Sequence, residues 1–357
     1  MRRVSVEQAT SGMALARAVY DISGQEVLPE LTVLSEDDFA LLARAGVAEI
    51  LIRDDRVADI PAASLFPASL EAKAIQALHG LLFAKQGITA PISPTDLTAI
   101  HSVVHQMIQC LFPVALGPPD LCGTSSLQGY DYVHPVKTAG LSLFIGREAD
   151  FPREDLLNLG LAAMLQNIGY LALPRGILDK PDSLSPEEER HLRKHPCLGA
   201  EMLAKSGLHA DVIRTIREHH ERPDGSGYPE GRKSDEICRL ARVISMADTY
   251  HSLLSRRAHR EPVKVDKAGE FVAACGGELF DPQLAGIFAR SMPQYPVGLP
   301  VKLNSGEIGI VCDSNIEHGA RPVVRICFQY GVPCRIPYDL DLSDSRQKDK
   351  LIAEVLL

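Results

Sequence analysis

The chain has 357 residues, 45% hydrophobic and 23% charged, with a formal net charge of -9. That length and balance suit two or three soluble globular domains, and the acidic surplus excludes a nonspecific nucleic-acid binder while leaving room for a local basic pocket. Met1-Arg2-Arg3 leads into no apolar signal core, and no stretch nears the roughly 18 apolar residues of a spanning helix, so a cytoplasmic location without a membrane partner is expected.

Residues 1–67 are expected to form a small α/β unit plus a linker. Short β-like runs at 14–20 and 48–53 flank a helix that Ser35 can cap, and 54–67 loses periodicity between turn residues. Residues 68–120 predict a helical connector, with helices over 70–85 and from Pro94 to 112. His101 and His105 stand one turn apart on the second of these; without the Glu of an HExxH motif, the pair reads as lining a helix–helix contact.

Residues 121–294 are almost wholly helical in pattern, with helices expected at 134–147, 153–166, 186–206, 209–220, 236–256, 264–274 and 282–292. Ser185 and Glu188 form a capping-box signature. Residues 295–357 switch to short β-rich runs at 297–303, 306–312, 322–328 and 332–337, a small antiparallel unit, with a short helix over 344–356. The fold class is therefore mainly α, with small β-containing units at both ends. Eight cysteines are scattered with no CxxC pair, which points to reduced, buried thiols.

The organising stretch is His219-His220 at a helix end, running into Glu221-Arg222-Pro223-Asp224-Gly225-Ser226-Gly227-Tyr228-Pro229. Neutral imidazole is a common metal ligand and glycine lets backbone N–H groups approach an anion, so a metal or phosphate site and a plain polar helix end both fit. His134, His195 and Asp248 interrupt neighbouring helical patterns, as ligands projecting into a bundle core do.

Together these residues resemble the HD-GYP family of the HD-domain superfamily, which is associated with hydrolysis of cyclic di-GMP. The resemblance covers about residues 121–294 through Tyr132-Val133-His134-Pro135, Leu173-Pro174, Ile177–Pro181, His195-Pro196, the His219–Pro229 block, Ala247-Asp248 and Phe280-Asp281-Pro282. It implies an HD-type helical bundle and a site for two or three metal ions, usually iron or manganese. His134, His195, His219, His220 and Asp248 match its metal ligands, and Arg257 and Arg260 match basic positions that contact nucleotide phosphates. Gly227 and Tyr228 belong to its Gly-Tyr-Pro surface.

Four positions of the metal and phosphate site depart from the family. Where it carries His-Asp-Ile-Gly-Lys, this chain has Gln166-Asn167-Ile168-Gly169-Tyr170, and its Glu one turn before the first histidine is Tyr130. A neutral Asn167 cannot offset the repulsion of two bridged cations, Gln166 is a weaker donor, and Tyr170 lacks the lysine's charge. The expectation is a catalytically degenerate protein that binds cyclic di-GMP, or a partner such as a GGDEF-domain cyclase, with no metal or one weakly held ion. The alternatives are a residual metal-dependent phosphodiesterase and a structural adaptor, and a homodimer is compatible with each.

Overall fold

The computed structural model describes residues 1–60, 65–86, 91–112, 130–178, 180, 182–255 and 261–356. At the N-terminus, β1 (Arg2–Ser5) pairs antiparallel with β4 (Glu49–Ile52), and β2 (Val19–Tyr20) pairs with β3 (Glu26–Leu28). Between β3 and β4 lies α1 (Glu36–Arg44), whose first turn is closed by a capping box between Ser35 and Asp38. Leu15, Leu34, Leu42 and Ile50 fill the core of this unit.

The stretch expected as a linker is packed over its described part. Val57 and Ile60 are buried against Ile310 and Cys327 of the C-terminal sheet, and Arg325 holds Asp59 with two hydrogen bonds of 2.7 and 2.9 Å. Its four buried apolar residues among those described, Val57, Ile60, Leu65 and Phe66, are spaced too irregularly for a sequence pattern to register.

The helical body comprises α2 (Ala68–Lys85), α3 (Thr98–Cys110), α4 (Tyr130–Glu148), α5 (Arg153–Leu165), α6 (Arg175–Leu178), α7 (Pro186–Leu192), α8 (His195–Leu203), α9 (Ala210–Glu218), α10 (Arg239–Leu254), α11 (Val265–Ala274) and α12 (Pro282–Ser291). Helices α4 and α5 are buried over most of their length, 133–146 except Lys137 and 158–165, and form the centre. The connector helices share that core: Leu78 of α2 and Val104 of α3 join it, and a Cβ on Gly160 would meet Val104 at 2.6 Å. His105 of α3 is exposed, which removes it from the expected helix–helix contact.

The single helix expected over 186–206 is two helices. Pro196, near the start of α8, lacks the N–H that continuation from α7 would need. Beyond α12, β5 (Pro300–Leu303), β6 (Ile308–Asp313), β7 (Val323–Gln329), β8 (Val332–Asp341) and β9 (Ile352–Val355) form an antiparallel sheet in the order β8-β7-β6-β5-β9. The helix expected over 344–356 is instead a 3-10 turn, Ser345–Gln347, followed by β9. The Arg321 guanidinium donates to the carbonyls of Leu342, Gln347, Lys348 and Lys350, which draws this segment into a loop, and Val355 is buried where β9 joins β5. Among the described residues no helix is long and apolar enough to cross a membrane.

Candidate metal and ligand site

Two helix ends supply the first half of the site. His195 opens α8 and His219 closes α9, both essentially inaccessible to solvent. Each turns its Nδ1 onto a backbone carbonyl of the preceding turn, Leu192 at 2.8 Å and Ile216 at 2.6 Å. A carbonyl only accepts, so Nδ1 carries the proton and Nε2 is left as a lone-pair donor, the second-shell arrangement that fixes a metal-binding tautomer. The two Nε2 atoms face one another at 3.3 Å. His220 completes a triad whose ligand atoms all lie within 4.8 Å of one another.

Burial, reinforced by neighbouring His219, pushes His195 down to about 3, and burial lowers His219 and His220 as well. The triad is therefore neutral at physiological pH. Three neutral imidazoles with converging lone pairs fit a single N-ligated cation.

Glycine sets how closely these elements approach. A Cβ on Gly169 would lie 2.0 Å from the His195 carbonyl oxygen and 2.7 Å from the Gly199 nitrogen, so only glycine lets the turn after α5 press against α8. That contact sets His195 beside Tyr170, with ring centroids 4.6 Å apart.

The second half is organised differently. Asp248 of α10 accepts at one oxygen from His134 Nε2, 2.7 Å, and from Gln166 Nε2, 3.1 Å. Burial alone would raise its carboxyl, but the His134 hydrogen bond and the surrounding histidines outweigh that and hold it far below the usual carboxylate range. With the His134 Nε2 proton directed at Asp248, its Nδ1 accepts from His251 Nδ1, 2.7 Å away. Gln166 Oε1 is buried without a hydrogen-bond partner. Asn167 is partly exposed and lines a cavity with Tyr132, Ile168 and Tyr170.

The structure thus brings His195, His219 and His220 together as one cluster and His134, Gln166 and Asp248 as another. His251 escaped sequence reasoning; its signal is a position one turn after Asp248 on α10. The donor set fits one cation at the triad. It does not fit a carboxylate-bridged pair, since Asn167 is a neutral amide and the Asp248 oxygen that meets His134 also takes the Gln166 amide.

The loop beside the triad is tightly built. Buried Glu221 accepts the N–H groups of Glu230, 2.7 Å, and Arg232, 2.9 Å, closing the loop on itself. A Cβ on Gly227 would sit 2.5 Å or less from backbone atoms of His220 and Arg222. The Tyr228 ring stacks on His220 at 4.7 Å, and burial raises its phenol far above the ordinary value. Arg222 is committed inward, donating to Ser245 and Thr249 hydroxyls. Arg257 and Arg260 lie outside the described residues.

The HD-domain family model matches residues 115–284. A cyclic di-GMP phosphodiesterase of Pseudomonas aeruginosa is 33% identical over 62% of this chain and 54% of its own length. A cyclic di-GMP phosphodiesterase of Thermotoga maritima is 32% identical over 44% of this chain and 43% of its own. A 3'3'-cGAMP-specific phosphodiesterase of Vibrio cholerae is 34% identical over 39% and 30%. The chain thus spans about half the length, or less, of these relatives. Among solved structures, an HDG"Y"P protein from Bdellovibrio bacteriovorus aligns over 80% of this chain and 97% of its own with 15% identity and a TM-score of 0.48. Residues 115–284 thus match the HD-domain family, and the chain is similar to cyclic di-GMP phosphodiesterases.

Proposed function

We propose that this chain recognises a cyclic dinucleotide, cyclic di-GMP foremost, in an HD-GYP-type pocket that has lost two-metal hydrolysis and acts in signalling by binding. The observation that carries the reading is the pair of neutral amides at Gln166 and Asn167, with the Gln166 amide directed at Asp248 rather than a cation. The retained Gly-Tyr-Pro loop, ordered by Glu221 and stacked on His220, is the recognition surface in this reading, and a GGDEF-domain cyclase is the partner protein it would suit. The relatives named above support the nucleotide class. Calorimetry with cyclic di-GMP, paired with a hydrolysis assay after iron or manganese loading, tests it. Binding without turnover is expected; turnover would sink the loss of hydrolysis, and no heat at high micromolar nucleotide would sink recognition.

A second reading, a single-ion phosphodiesterase, is favoured by the His195, His219 and His220 triad and by the phosphodiesterase relatives. An iron or manganese ion there would supply Lewis-acid polarisation of a phosphate oxygen. The chain's own part is to hold three neutral imidazoles, two of them, His195 and His219, buried and oriented by backbone carbonyls. Linear dinucleotide released in proportion to bound metal is the result that would favour this reading over the first.

A further inference from the structure

The family's lysine is absent at Tyr170, and a cation from another part of the chain, Arg193, reaches the Tyr228 ring of the loop. Arg193 caps the C-terminus of α7, two residues before His195. Its guanidinium carbon lies 5.2 Å from the centroid of the Tyr228 ring, and that ring stacks on His220. A charged, planar fork therefore sits on the ring that walls the imidazole triad.

Its other commitments are light. Nε and Nη2 both reach one oxygen of Glu189, at 3.2 and 2.6 Å, in an i,i+4 pair whose side chains are 52% and 51% exposed. Such an exposed pair is weak and easily exchanged for a better anion. Arg222, by contrast, is enclosed and hydrogen-bonded to Ser245 and Thr249, and Arg217 and Arg232 share Glu230. Arginine is the side chain best shaped to hold a phosphodiester, because two parallel N–H groups match two non-bridging oxygens.

We propose that Arg193 is a phosphate-binding residue of this pocket, taking from the α7–α8 junction the electrostatic role that Tyr170 cannot fill. The inference rests on the cyclic-dinucleotide reading above. When ligand arrives the guanidinium leaves Glu189 and turns about its Tyr228 contact to a phosphate group held near the triad.

Calorimetry of the full chain with cyclic di-GMP tests this through three variants. R193Q is expected to weaken binding about tenfold or more, the scale of a charge-assisted contact, with an unchanged melting temperature because the side chain is half exposed. R193K should recover part of the loss, and E189Q should bind at least as tightly as the native chain. Native binding with equal affinity in R193Q overturns the inference alone and leaves the recognition reading standing. Loss in R193Q accompanied by a lowered melting temperature and no recovery in R193K also overturns it, since Arg193 then only supports the Tyr228 ring. Absence of binding by the native chain overturns both.

Discussion

His195 and His219 aim their Nε2 lone pairs at each other across 3.3 Å, each locked in place by an Nδ1 hydrogen bond to its own preceding turn. Two such lone pairs in a buried, low-dielectric setting repel unless a cation or a shared proton lies between them. In the binding reading proposed above the arrangement is the retained half of a metal centre, and its consequences for metal content are specific.

Purified protein loaded with iron or manganese should hold at most one ion per chain by elemental analysis. H219A should remove it, because the triad loses a donor whose tautomer is already set. Where the ion is held at 100 times its dissociation constant, chelation should cost about 2.7 kcal/mol and lower the melting temperature accordingly. Two ions per chain would contradict the role assigned to Asn167.

G169A should be among the most damaging single-methyl additions in the chain. The new Cβ falls 2.0 Å from a backbone oxygen of His195, which no rotamer change can relieve. Overpacking of this kind costs about 1–3 kcal/mol, and here the displaced group carries a ligand, so metal content should fall with the denaturation midpoint. G199A is the control. Its Cβ would meet the Ile168 side chain at 3.1 Å and the Gly169 nitrogen at 3.2 Å, contacts that a small shift can relieve, and its effect should be smaller.

H251L isolates the second cluster. It leaves His134 Nδ1 buried without its partner, at a cost of about 1–3 kcal/mol in a thermal or denaturant melt. Because His195, His219 and His220 are untouched, metal content should not change. H251N keeps an N–H donor and should restore part of the stability. Equal stability of H251L and the native chain would mean that the His134–His251 hydrogen bond contributes nothing.

The helical body was legible because its helices carry periodic apolar residues and clear boundaries: α11 and α12 begin and end within a residue of expectation, and Ser185 caps α7 as its spacing implies. The imidazole cluster was legible through the family motif, since His195 and His219 lie 24 residues apart and nothing local joins them. What stayed hidden depends on contacts between distant segments. The Gln166 to Asp248 hydrogen bond spans 82 residues, the His134 to His251 bond spans 117, and β9 exists because β5 offers it an edge while Arg321 gathers the intervening carbonyls. A lone histidine such as His251 looks like any polar residue on a buried helix until its partner is in place.

The sharpest test of the altered centre is to rebuild it with Q166H, N167D and Y170K in one chain. Asn167 stands at the N-cap of the turn that begins at Ile168-Gly169, and aspartate has the same shape and suits a cap position, so it needs little backbone change. Q166H withdraws the amide from Asp248 and puts an imidazole where Oε1 now lacks a partner. Y170K places a cation beside His195, where the Tyr170 ring now packs. With the anionic bridge restored, the repulsion between two cations is offset, so metal content should rise from at most one ion to two and hydrolysis of cyclic di-GMP should appear. N167D alone should raise metal content without giving full turnover, because the lysine's charge at the phosphate is still missing. A triple variant that folds, as judged by its melt, yet binds no more metal than the native chain would show that Asp248 and His134 are bound to each other too firmly to serve as ligands.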